Sequence, residues 1–170
     1  MSARTRTLLG TGALLTTLLL GMAPASGATP ATTLPAGCTS GTACFLDART
    51  GAHTGYDRLV FDVSLLPQVQ SSSISTSGSY DYNDNGTKYV SITGNDYLFV
   101  NFADASLFSN TGLAYTTPNP EAIDLPAIKG VQYINDDEGS VSFALSLNSY
   151  TSYDIFTLTA PDRVVIDVYH

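Results

Sequence analysis

Two stretches, Asp57-Arg-Leu-Val-Phe-Asp-Val63 and Asp162-Arg-Val-Val-Ile-Asp-Val168, are almost the same strand written twice. In each, apolar residues alternate with other types at period 2, the pattern of a half-buried β-strand. Leu59, Phe61 and Val63 then share one face of the first strand, as Val164, Ile166 and Val168 do in the second. The opposite faces match too, as Arg58-Val60-Asp62 and Arg163-Val165-Asp167. A folded region that opens and closes on one strand motif is expected to be a closed, pseudo-symmetric β unit. If the two strands lie antiparallel with Val60 opposite Val165, Arg58 faces Asp167 and Arg163 faces Asp62. Two cross-strand ion pairs follow from that register, each contributing roughly 0.2–1 kcal/mol. Capture of a ligand carboxylate by Arg58 or Arg163 is the alternative use of the same charges.

Outward from this pair, strand signals recur at 45–49, 79–82, 88–93, 97–102, 128–134, 141–147 and 153–159. Gly51 and Gly55 mark the turn before the first twin strand. Asn83-Asp-Asn-Gly86 is a strong hairpin turn, because Asn and Gly accept positive φ. Asn135-Asp-Asp-Glu-Gly139 marks another. Residues 103–126 hold three prolines and no clear period, with at most one short helix expected near 104–108. Eight or nine short, mostly antiparallel strands predict an all-β domain, a sandwich or barrel.

The first residues stand apart from this domain. Arg4 and Arg6 precede an apolar stretch over 8–23, and Ala23-Pro24-Ala25 supplies the small residues a signal peptidase requires. That stretch is short for a membrane span of about 20 apolar residues, so 1–27 reads as a cleaved secretory signal rather than an anchor. Residues 28–42, mostly Ala, Thr, Pro, Gly and Ser, read as a flexible linker that runs into a small disulfide loop. The folded domain is then 43–170. Loss of Arg4 and Arg6 leaves five basic residues against 15 acidic and moves the net charge from −8 to −10. Nucleic acid and anionic lipid both require Lys/Arg patches, so neither is expected as a partner. The only cysteines, Cys38 and Cys44, lie six apart in an exported chain. A disulfide between them fits, contributing roughly 2 kcal/mol on the chain-entropy account; a reactive or metal-binding thiol pair is the alternative.

The run from Ala48 to Asp62, through Arg49, Gly51, His53, Gly55, Tyr56, Asp57 and Arg58, resembles the opening of the AMIN-like domain of secreted proteins from Gram-positive bacteria, R-x-G-x-H-x-G-Y-D-R-[VL]-V-F-D. Residues 153–170 resemble the same family's closing strands. The resemblance implies a β-sandwich related to AMIN domains, non-catalytic modules that bind peptidoglycan or place partner proteins at it. This chain departs from those relatives by carrying no attached amidase or secretin. It also has a Tyr- and Asn-rich hairpin where a more charged one is expected, and the resemblance fixes no ligand residues.

Two sets of residues are candidates for ligand contact. The loop Gly51-Ala-His-Thr-Gly-Tyr56 offers His53, Tyr56 and Asp57 to a polar ligand, or is a tight turn whose rings pack on each other. In the hairpin, Tyr80 and Tyr82 share a strand face. The chain has ten tyrosines and no tryptophan, and an exposed row of such rings suits a glycan. The same residues also suit a half-buried strand. Asp81, Asn83 and Asn85 match the first positions of an EF-hand loop, but Ile92 stands where the bidentate Glu is required. No metal or cofactor is therefore expected. Catalytic motifs such as Gly-x-Ser-x-Gly, Ser-x-x-Lys and His-Glu-x-x-His are absent, leaving only a triad assembled by the fold on His53 or His170. The sequence thus predicts a non-catalytic module for cell-wall glycan or peptide. The alternative is an envelope-protein partner, docked through the Tyr-rich hairpin or an exposed strand edge.

Overall fold

The computed structural model describes residues 37–82 and 85–170, so the leader and most of the linker lie outside the described residues. One sheet contains β1 (Ala43–His53), β2 (Tyr56–Val63), β13 (Ser152–Leu158) and β14 (Arg163–Tyr169), with the two-residue β7 (Ala105–Ser106) at one end. Its order is β13-β14-β2-β1-β7, antiparallel except for the short parallel β1–β7 pairing. The second sheet contains β3 (Gln68–Ser75), β6 (Asp96–Ala103), β10 (Glu121–Ala122), β11 (Ile128–Asp137) and β12 (Ser140–Leu147). Its order is β10-β11-β12-β6-β3, antiparallel throughout. Two small ribbons complete the fold, β4 (Ser79–Asp81) with β5 (Thr87–Tyr89), and β8 (Phe108–Ser109) with β9 (Gly112–Leu113). The eight strands of seven or more residues build a β-sandwich, and no helix occurs among the described residues.

The twin strands β2 and β14 are direct neighbours, with Val60 opposite Val165. Their alternation does what period 2 dictates. Leu59, Phe61, Val63, Val164, Ile166 and Val168 all turn inward to the core. There they meet Leu98, Val100 and Phe102 of β6 and Val141, Phe143, Leu145 and Leu147 of β12. Phe45, Phe61, Phe102 and Phe143 form an aromatic centre, with Phe61 and Phe143 centroids 4.4 Å apart and Phe45 5.0 Å from both Phe102 and Phe143. All four are fully buried, and each such burial stabilises the fold by about 1.5–3 kcal/mol.

The second sheet also carries a third layer. Tyr97 and Ala144 have the opposite parity to the core residues of β6 and β12, so they point to the outer face. The β4–β5 ribbon lies over them, packing Tyr80 and Val90 against Tyr97, Ile134, Ala144 and Phe99. Gly78 makes the approach feasible: its φ is +61°, and a Cβ there would sit 2.7 Å from the Tyr97 ring. Ser91 N–H donates to Gln132 Oε1 at 2.8 Å and Ser146 Oγ donates to Ile92 O at 2.6 Å, fastening the arm.

Residues 104–108 are not helical. Asp104 takes φ +53° and the segment splits into β7 and β8. Its N–H groups go elsewhere: Ala105 donates to Gly139 O at 3.0 Å and Leu107 to Asp136 Oδ2 at 2.9 Å. Burial raises the Asp136 pKa, an effect that Leu107 N–H and the Ser106 hydroxyl, both donating to its carboxylate, partly offset. The strand at 68–75 went unread in the sequence because Gln68-Val-Gln-Ser-Ser-Ser-Ile-Ser75 has no clean alternation; pairing with β6 makes it a strand. The expected turn also moves. Gly51 lies within β1, and the turn is Thr54-Gly55, with Gly55 at φ +84°.

Candidate functional site

The cross-strand register of the first sheet lays its outer face out in rows. The first row runs Ser152, Tyr169, Tyr56, His53 across β13, β14, β2 and β1. Asp154, Asp167, Arg58 and Gly51 form the second, and Phe156, Val165, Val60 and Arg49 the third. None of the other described strands pairs with this face; His53 is exposed and Tyr56, Arg58 and Tyr169 are half-buried, while Val165 and Asp167 are buried.

His53 and Tyr56 flank the two-residue turn, and their rings stack at 4.6 Å and 8°. Tyr169 lies next in the row, its ring 5.7 Å from that of Tyr56. Below them Arg58 grips Asp167 in a two-pronged pair, Nε to Oδ1 at 2.6 Å and Nη2 to Oδ2 at 2.7 Å. The hydrogen bond to Asp167 raises the Arg58 pKa further, so its charge is permanent. The guanidinium also sits 5.2 Å from the Tyr56 centroid and 5.6 Å from that of Phe156. Ion pair and rings together hold Arg58 flat across the sheet. Gly51 beside it adds no side chain, and a Cβ there would lie 3.9 Å from His53 Nε2.

Several expectations need correction. Arg163 is in register with Asp62, yet the second symmetric ion pair does not form. Arg49 takes both Asp62 oxygens at 2.7 and 2.8 Å, and Arg163 Nε donates to Pro161 O instead. Asp57 is not a ligand group. It belongs to the inward parity of β2 and is fully buried, where its Oδ2 accepts from Ala127 N–H at 2.6 Å and Ile128 N–H at 3.1 Å. Its Oδ1 has no hydrogen-bond partner and lies 3.6 Å from His170 Nε2. Tyr80 is half-buried under the hairpin arm, and burial raises its pKa. Tyr82 is covered on one face by Lys88 Nζ, 3.6 Å from the ring centroid. The loop and the hairpin therefore do not form one site: the first lies on one sheet, the second on the other. Asn83 of the calcium-like loop lies outside the described residues. Cys38 and Cys44 are disulfide-bonded, with Cα atoms 6.0 Å apart.

Sequence reasoning passed over Tyr169, Phe156 and the Arg49 pairing. Tyr169 was within reach, because extending the Val60–Val165 register by four residues puts it opposite Tyr56. A cleft of about 320 Å³ opens beside β1, lined by Ala48, Arg49, Thr50, Leu59, Val131 and the segment from Glu121 to Leu125, so Arg49 borders both the cleft and the third row. None of the expected ligand residues lines it.

The described residues form a two-sheet β-sandwich, and no helix among them is long and apolar enough to cross a membrane. The chain belongs to the AMIN-like family, whose domain model matches residues 43–170. No curated protein matches the sequence.

Proposed function

We propose that the domain is a non-catalytic module that holds cell-wall glycan or its peptide on the open outer face of the first sheet. The observation that carries the reading is the row His53, Tyr56, Tyr169, with Arg58 fixed beneath it. Amphipathic rings on a rigid sheet stack on sugar at low entropic cost. Arg58 uses Nε and Nη2 for Asp167, so its remaining amino group is directed to a ligand oxygen.

The test is co-sedimentation of the purified protein with intact peptidoglycan sacculi at low and moderate salt. Wild type pellets at both. Each of His53→Ala and Tyr56→Ala removes about 0.5–1.5 kcal/mol of ring contact, a roughly two- to tenfold weaker binding. Tyr82→Ala, on the other sheet, pellets like wild type. A wild type that stays in the supernatant, or ring variants that pellet unchanged, would overturn the reading.

A further inference from the structure

Each sheet has two edges, and three of the four are ill suited to pairing with another chain. β7 and β10 are two residues long, and β13 carries the exposed Asp154. β3 differs from all of these. It is eight residues long, pairs only with β6 among the described residues, and is exposed from Gln68 through Ser73. Natural edge strands are guarded by Lys, by inward charges, by Pro or by shortness. Here no charged residue occurs anywhere between Asp62 and Asp81, in a chain whose net charge is −8. The guards present are Pro67, before the strand, and a bulge between Val69 and Ser71. They leave Ser71 to Ser75 as a regular run with its outer N–H and C=O groups unpaired among the described residues. Two exposed apolar side chains, Leu66 and Val69, sit at the head of the same strand, and Leu66 also lines a surface cleft of about 260 Å³.

We infer that β3 is the seam of a homodimer, in which two copies pair their β3 edges antiparallel across a twofold axis and join their second sheets into one. A second copy is the occupant that the charge pattern favours. Two chains this acidic repel wherever their carboxylates meet, and the 63–80 stretch is an approach free of them. A twofold contact brings the same patch together from both sides, so an uncharged Ser/Gln edge is complementary to itself. The axis passes at Ser73, the middle of the regular run, with Ser71 opposite Ser75. Leu66 and Val69 of each copy then run beside the segment that follows the other copy's β3. One strand edge falls short of the roughly 1,200–2,000 Å² buried in a stable complex, so the dimer forms with a micromolar rather than a nanomolar constant. Dimerisation would give the module two glycan faces, and even a weak face gains from being doubled.

Sedimentation velocity of the purified protein from low to high micromolar concentration tests this, with Ser73→Asp and Ser73→Lys as variants. Ser73 is exposed, so each substitution leaves the fold intact by circular dichroism while placing like charges face to face at the axis. Wild type shifts from one chain to two as concentration rises, and both variants need at least about tenfold more protein to do so. A wild type that stays monomeric throughout overturns the inference, as do variants of either sign that dimerise like wild type.

Discussion

The two sheets share one core and differ on their outer faces. On the second sheet that face is a structural interface: Tyr97, Ile134 and Ala144 are buried under the β4–β5 arm. On the first it holds rows of rings and charges, with His53 exposed and Tyr56, Arg58 and Tyr169 half-buried. Aromatic content does not separate the faces, since Tyr97 and Tyr80 serve one and Tyr56 and Tyr169 the other. What separates them is what lies above. A tyrosine under a covering strand contributes packing, while a tyrosine in an open row, beside a clamped guanidinium, is available to a ligand.

The comparison breaks most visibly at Tyr97. Its ring is packed against Gly78, and its hydroxyl accepts from Gly94 N–H at 3.1 Å. Tyr97→Ala should cost about 3–5 kcal/mol, as large aromatic truncations in packed sites do. Tyr56→Ala on the open face should cost less than about 1.5 kcal/mol. Urea unfolding of both variants decides this, and equal losses would mean that the open face is also a structural one.

Asp57 sharpens the contrast from within the first sheet, because it ties that sheet's inner side to the start of β11. Asp57→Ala orphans the buried Ala127 and Ile128 N–H groups and should cost about 2–4 kcal/mol in the same assay. Binding to sacculi, measured below the unfolding transition, should stay within about twofold of wild type, since the carboxylate is fully buried. A larger loss of binding at intact fold would return Asp57 to the ligand site.

Much of this was legible in the sequence, for physical reasons that can be named. β2 alternates cleanly because Leu59, Phe61 and Val63 are buried while Arg58, Val60 and Asp62 are half-exposed; β14 repeats the pattern in sequence although its outer-face Val165 and Asp167 are buried as well. Period 2 therefore gave both their existence and their shared register. β3 was illegible because an exposed Ser-rich edge has no burial contrast to leave a pattern. The fate of Asp57 was hidden for a related reason: parity put it on the core side, but only the fold brings the Ala127 and Ile128 amides to it. Tyr80 and Tyr82 read as one row, yet the layer that buries the first comes from the folding of their own arm. Arg49 was in view as part of the family-like opening, without sign that it would take Asp62 from Arg163. The β1 bulge between Phe45 and Asp47 alters the local register near Asp62, a shift that composition does not encode.

The smallest effects lie in the ion pairs, and there the two Arg–Asp clamps of the open face can be set against each other. Both are bidentate with nearly equal distances, so geometry alone predicts equal coupling. Exposure predicts otherwise: the Asp167 side chain is 5% exposed, whereas Arg49 and Asp62 are 49% and 30% exposed. Solvent screens the second pair and leaves its side chains more freedom to lose on pairing. Arg58 is also held by Tyr56 and Phe156, so part of its ordering cost is met by ring contact. Double-mutant cycles should give about 1–2 kcal/mol of coupling for Arg58 and Asp167, and about 0–0.5 kcal/mol for Arg49 and Asp62. Raising salt should shrink the second value and change the first little. Equal couplings would show that Arg58 is as solvated as Arg49, removing the rigid donor on which recognition at this face depends.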